Sequence, residues 1–160
     1  MDFIEDKAPI EEMLRRHEWG TLAVAAEGPP YMVPVNYAYV EGRIVFHCSF
    51  KGRKIEAIAA NPRVCFCVAH QEGTVQDHPG GKPCHVDSRS VLVFGRARIV
   101  TESDRRKRLA NAFNREFRPD APDLSDERLN GCAIVEIVID EMTARFEKDR
   151  KPVFWRHAPK

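Results

Sequence analysis

Apolar residues recur along this chain with two different periods, and the switches between them mark its elements. In PIEEMLRRH (9–17), Ile10, Met13 and Leu14 fall on one face and Pro9 suits a first helical position, which predicts a short helix. Strand patterns follow. TLAVAA (21–26) is an apolar run ended by Gly28-Pro29-Pro30. YMVPVNYAYV (31–40) is long and rich in β-branched and aromatic residues. Glu41-Gly42 separates it from RIVFHCS (43–49), as a two-residue hairpin turn would. Helical period returns over 51–60, where Ile55, Ile58 and Ala59 share a face and Asn61-Pro62 ends the run.

Beyond that point RVCFCVAH (63–70) reads as a strand and 71–85 as a polar loop. SVLVFGRARIV (90–100) is another long strand, with Gly95 as a bulge or a point of close approach. Thr101 precedes Asp104 by three, a variant of the capping box, and the helix it opens carries Leu109, Phe113 and Phe117 on one face. A Pro- and Asp-rich stretch (118–131) reads as loop with one helical turn. AIVEIVIDEMTARFEK (133–148) alternates as the last long strand. The pattern holds neither repeats nor low-complexity segments. Six strands with short connections favour antiparallel pairing, so the expected class is mainly β, a small barrel with peripheral helices. Helices do not alternate with strands, which disfavours a doubly wound parallel sheet.

Composition narrows the function classes. The chain has 160 residues, which fits one domain, with a core over about 10–148 and a C-terminal tail over 149–160. Lys plus Arg number 25 against 24 Asp plus Glu, and a net charge of +1 gives no drive toward nucleic acid or an acidic membrane. A hydrophobic share of 43% excludes disorder for most of the chain. No apolar run approaches the roughly 20 residues of a membrane helix. MDFIEDKAPIEEMLRR (1–16) lacks a signal-peptide core, and five cysteines is an odd count. Reduced thiols in a cytoplasm are the expectation.

The stretch richest in chemistry is FHCSFKGRKIEAIAANP (46–62), a strand that passes through a turn into a helix. Lys51, Arg53 and Lys54 oppose the positive end of the helix dipole, at a cost of about 0.3–1 kcal/mol each. With Ser49 and exposed backbone N–H groups they would cradle a phosphate. The same residues also fit a solvated basic turn. Neither a P-loop nor a dinucleotide fingerprint is present. Pro34, without an N–H, implies an edge, a bulge or a ligand-facing stretch in its strand.

Taken in order, MVPVNY (32–37), FHCS (46–49), GRKIE (52–56) and NPRVCF (61–66) resemble the pyridoxamine-phosphate-oxidase-like split barrels that bind FMN. The nitroimidazole-resistance branch is the most similar, and SVLVFGRARIV with its following helix also resembles it. The resemblance implies a six-stranded antiparallel split barrel, working as a homodimer with FMN at the interface. It places backbone around Val33, Pro34, Val35, Asn36 and Tyr37 along the flavin ring and ribityl chain. It matches His47 and Cys48 to a two-residue cofactor contact, and Arg53 and Lys54 to the pair that holds the phosphate. Ser49 and Lys51 match as further phosphate contacts. His47 corresponds to a histidine beside the flavin, the candidate for orienting substrate or moving a proton. The implied activity is reduction of a small organic acceptor. The alternative is a non-enzymatic flavin- or haem-binding sensor, and haem and deazaflavin are the alternative cofactors. WRHAPK (155–160) echoes only faintly the arginine motifs that hold substrate phosphate in the oxidase proper, which makes pyridoxamine phosphate a poor substrate candidate.

Three other groupings carry weaker signals. Cys65 and Cys67 share a strand face, with His70, His78, Cys84 and His85 nearby, yet Cys-x-Cys lacks the spacing of structural zinc sites. Buried thiols are the expectation and no metal is assigned. Arg105, Arg106, Lys107 and Arg108, with Arg115 and Arg118, read as a solvated helix face rather than a nucleic-acid surface. Trp19 and Trp155 read as core or interface packing.

Overall fold

The computed structural model describes residues 2–25, 29–78 and 82–159, and within 73–85 the backbone alone. A two-residue strand, β1 (Ile4–Glu5), leads into helix α1 (Ala8–Arg16), whose Ile10, Met13 and Leu14 are buried as the periodicity predicts. Then come β2 (Trp19–Val24), β3 (Tyr31–Asn36), β4 (Ala38–Val40), β5 (Arg43–Cys48) and α2 (Arg53–Ala60). Two long strands, β6 (Arg63–His78) and β7 (Lys82–Ile99), precede α3 (Ser103–Phe117) and the short α4 (Asp126–Asn130). β8 (Ala133–Lys148) and β9 (Lys151–His157) complete the chain.

Hydrogen bonding runs β3–β2–β6–β7–β8–β5–β4, with β9 and then β1 added beside β8. All pairs are antiparallel except β1 with β9. Both ends of that path, β3 and β4, are pieces of one segment, so the sheet curls into a split barrel. The sequence pattern reads 31–40 as one strand, but Tyr37 breaks it. Its backbone N–H bonds the Glu18 carbonyl (2.9 Å) instead of a ladder, and its buried hydroxyl donates to the Leu14 carbonyl (2.8 Å). Its ring meets Phe66 edge-on at 4.9 Å. One side chain thus ties α1, the bend and the barrel floor together.

Among the described residues, nine strands replace the expected six. One addition is the break at Tyr37, and β1 and β9 are the others. Residues 151–157 are therefore a sheet strand, and the tail pairs along β8 from Met142 to Lys148. The expected polar loop over 71–85 is also corrected. β6 and β7 carry their ladder out to His78 and Lys82, and polarity misled because this ribbon has no apolar face to reveal its period. Residues 79–81, and Ala26 of the first expected strand, lie outside the described residues, as do the side chains of His78, Cys84 and His85.

Gly95 holds a bulge. Register slips by one between Phe94 and Gly95, leaving Asp140 of β8 as the extra residue. A Cβ at Gly95 would sit 2.2 Å from the Val138 carbonyl oxygen, so no larger residue fits. The slip exchanges the inward parity of β8. Val135, Ile137 and Ile139 face the core before it, and Met142 and Ala144 after it.

Thr101 is not the cap of α3. Glu102 occupies that position, and its carboxylate binds Arg98 (2.8 Å) and the Thr101 N–H (3.2 Å). The arginine run on α3 is likewise more than a solvated face. Glu136 of β8 is fully buried, and its carboxylate accepts from Arg105 (3.0 and 2.5 Å) and Arg98 (2.7 Å), with Arg43 at 3.5 Å. Burial alone would raise this carboxyl, but the guanidinium bonds outweigh it and hold the group below its ordinary value. Arg106 donates to the carbonyls of Leu129 and Cys132, and Arg108 to Glu41 (2.9 Å). These contacts bolt α3 across the barrel wall.

Candidate functional site

The turn 49–52 starts where β5 leaves the sheet. Ser49 Oγ accepts the Lys51 N–H at 3.2 Å, which tightens the turn. Gly52 has φ of 113°, a conformation that favours glycine, and nothing lies within 4 Å of where its Cβ would be. Its carbonyl accepts the N–H groups of Ile55 (3.0 Å) and Glu56 (3.1 Å), starting α2 without a side-chain cap. The Arg53 and Lys54 N–H groups at the start of the helix therefore have no intrahelical partner.

Three cations stand around that opening. The Arg53 guanidinium lies 4.6 Å from the Tyr31 ring centroid and donates to the Pro29 carbonyl (3.2 Å). The Lys54 ammonium is 5.4 Å from the Phe46 ring. Lys51 is exposed. Among the described residues, none of the three has a carboxylate within ion-pair distance. Arg53 on Tyr31 also joins the opening to the start of β3, so the turn that carries Ser49, Lys51, Arg53 and Lys54 lies beside that strand. Tyr31 is a member the sequence reading missed. Its only signal was an aromatic ring at a strand start, a common feature.

β3 is an edge of the hydrogen-bonded path, and Pro34 pairs with Thr21 of β2 while standing exposed. Val33 and Val35 turn toward the core. The far end of the stretch is committed elsewhere, because Asn36 Nδ2 and the Tyr37 N–H both bond the Glu18 carbonyl. The free part of this edge is the segment around Val33, Pro34 and Val35.

His47 and Cys48 project to opposite faces of β5. Cys48 is half-buried on the side of Lys54. Burial pushes its thiol up, the Lys54 charge opposes this, and Cys132 adds to the rise. His47 stands on the other face and meets the Phe113 ring edge-on at 5.1 Å. There it borders a cavity of about 210 Å³ beneath α3 and α4. The structure therefore separates His47 from the cations, although the two are close in sequence.

The outer face of the sheet carries a second feature. Register aligns Thr21, Cys67 and Leu92 in one row, and Met32, Ala23, Cys65 and Phe94 in the next. Trp19 continues the same face of β2. Trp19 and Met32 are 63% and 65% exposed, and Leu92 and Phe94 are 37% and 41%. Trp19 is thus not a core residue. Cys65 and Cys67 are half-exposed here rather than buried, and burial of their sulfur raises both thiols. Trp155 does pack, 4.6 Å from Phe146.

A curled, almost wholly antiparallel sheet whose two ends are pieces of one bent segment, with helices against its wall, is the split-barrel class. Residues 6–146 match the family model for pyridoxamine 5'-phosphate oxidase, and the chain belongs to that family. Similar solved structures include a candidate 5-nitroimidazole antibiotic resistance protein from Bacteroides thetaiotaomicron. It is 22% identical, with a TM-score of 0.77 over 89% of this chain and 85% of that one. An FAD and heme binding protein from Mycobacterium smegmatis is 17% identical, with a TM-score of 0.80 over 91% of this chain and 73% of that one. A flavocytochrome from Azotobacter vinelandii is 14% identical, with a TM-score of 0.77 over 98% and 80%. At these identities the likeness is one of fold. No curated protein matches the chain. Among the described residues, no helix is long and apolar enough to cross a membrane.

Proposed function

We propose that this protein is a flavin-dependent oxidoreductase that reduces a small organic acceptor, with FMN as its cofactor. The observation that carries the reading is the opening at 49–54. It offers three cations without carboxylates, a hydroxyl and uncapped helix N–H groups, with room above Gly52. That donor set fits a phosphate dianion. Ser49, Lys51, Arg53 and Lys54 would hold the phosphate, and the edge around Val33, Pro34 and Val35 would lie along the ring. Cys48 borders the same side. When bound, the flavin supplies the electron transfer. His47 is the proposed group for orienting the acceptor or holding a proton; since it faces away from the phosphate opening, that role requires the flavin ring to extend past the edge of β5 to the cavity side.

Membership of the family and its flavin-binding neighbours support this reading. One of those neighbours is named as binding FAD and heme and another as a flavocytochrome, which favours one alternative: a flavin or haem carrier without turnover. Deazaflavin fits the same phosphate site. Purified protein should be yellow and release FMN, identified by mass. Colourless protein that takes up no added FMN would sink the proposal. A Soret band would favour haem, and anaerobic reduction without turnover of any nitro or quinone acceptor would favour the carrier.

A working homodimer in the cytoplasm belongs to the same reading. The uncharged rows from Met32 to Phe94 are a flat apolar face of the kind two copies cover. Leu92→Asp with Phe94→Asp should convert a dimer to monomer in sedimentation, and an unchanged dimer would place the interface elsewhere.

A further inference from the structure

The cavity beside His47 is walled by Ala110 and Phe113 of α3, Leu124 and Leu129 around α4, and Ile134 of β8. Its walls are fixed in place. Arg106 clamps the carbonyls of Leu129 and Cys132, and the Asn111 side chain accepts the Leu124 N–H at 2.8 Å. Ser125 caps α4 by accepting the Arg128 N–H, and the Arg128 carbonyl accepts from Gly131. The backbone of Arg128 is therefore satisfied and its side chain is held at the cavity rim. Among the described residues its guanidinium has no ion pair. Asn114 and His47 stand at the same rim, and neither makes a side-chain hydrogen bond among the described residues.

An apolar pocket with a few convergent polar groups is the usual form of a small-molecule site. We propose that this cavity binds a one-ring aromatic carboxylate. At about 210 Å³ it lies below the roughly 300–1,000 Å³ of pockets for drug-sized ligands, which limits the occupant to a single substituted ring. The Phe113 ring, already edge-on to His47, offers an aromatic wall. A planar guanidinium matches a carboxylate with two parallel bonds, and the amide and imidazole add donors beside it. Neutral rings leave those donors unmatched, and acetate leaves the apolar walls wet.

This inference goes beyond the flavin reading and does not rest on it. The test titrates isotope-labelled full-length protein, stripped of cofactor, with benzoate, toluene and acetate. Benzoate should shift the resonances of His47, Phe113 and Ile134 and bind at least tenfold tighter than either comparator. Arg128→Gln should weaken benzoate about tenfold and leave toluene unchanged, the usual scale for one charge-assisted contact. Asn114→Ala should weaken it less. Equal affinity for benzoate and toluene would overturn the proposal, as would indifference to Arg128→Gln. Shifts confined to residues 49–54 would show benzoate acting as a plain anion there and would also overturn it. Failure of FMN uptake in a parallel titration bears on the flavin reading alone.

Discussion

Two clusters of cations lie on opposite sides of β5 and have opposite fates. Around Glu136, the side chains of Arg43, Arg98 and Arg105 converge on one buried carboxylate, and Glu41 and Glu102 take up the remaining charge. At 51–54, Arg53 and Lys54 meet two aromatic rings and a carbonyl, and among the described residues no acid pairs with Lys51, Arg53 or Lys54. Composition cannot distinguish these clusters. Partnership can: a matched cluster holds an element in place, and an unmatched one is left for something the chain does not supply.

The largest effect should come from breaking the matched cluster. Glu136→Gln would leave three guanidiniums around a neutral amide in a buried place. It should cost about 3–5 kcal/mol of stability, the usual result of removing one partner of a buried ion pair. The loss should depend on pH. The folded protein holds Glu136 below its ordinary value of 4.5, so its contribution is complete above that pH and fades as acid protonates it. Glu102, held down at about 2 foremost by its hydrogen bond from Arg98, is present in both proteins and lowers the stability of both alike in acid. Urea unfolding of wild type and variant should therefore converge as pH falls below 4.5. A gap that stays constant would show the carboxylate charge to be irrelevant.

Breaking the unmatched cluster should do the reverse. Arg53→Ala with Lys54→Ala removes two cations whose contacts in the fold are two ring faces and one exposed carbonyl, and stability should stay within about 0.5 kcal/mol of wild type. FMN affinity should fall about a hundredfold or more, as the loss of two charge-assisted contacts implies. Fluorescence titration of the stripped protein reads it. Lost stability with unchanged FMN affinity would make this cluster structural like the other.

The sequence carried the turn and its cations well, because both are local. Glycine before the helix, serine at the strand end and cations in the first helical turn all lie within six consecutive positions. The barrel strands were legible for a similar reason, since apolar period needs only near neighbours. Glu136 was not legible. It sits among apolar residues of β8, and its partners lie 31 to 93 positions away in the chain, on α3, β7 and β5. β9 was missed because KPVFWRH has no clean alternation, and its pairing with β8 is a fact of topology. Strand alternation puts His47 and Cys48 on opposite faces of β5. Which of them faces the cavity depends on where α3 and α4 pack, and the structure puts His47 there.

The smallest effect tests how the unmatched cluster is aimed. Arg53 is held by the Tyr31 ring and by one carbonyl, and only the ring can be removed by substitution. A cation over an exposed aromatic face is worth about 0.5–1 kcal/mol. Tyr31→Leu keeps an apolar side chain on β3 but removes the ring, so Arg53 would have to be ordered at the moment of binding. FMN affinity should fall about two- to fivefold, with stability little changed. Tyr31→Phe should restore it, because the face of the ring holds the guanidinium and the hydroxyl does not. If Tyr31→Leu leaves FMN affinity intact while Arg53→Ala with Lys54→Ala abolishes it, the carbonyl contact alone aims Arg53. If Tyr31→Phe behaves like Tyr31→Leu, the hydroxyl itself touches the ligand, and the site reaches further along β3 than the cations indicate.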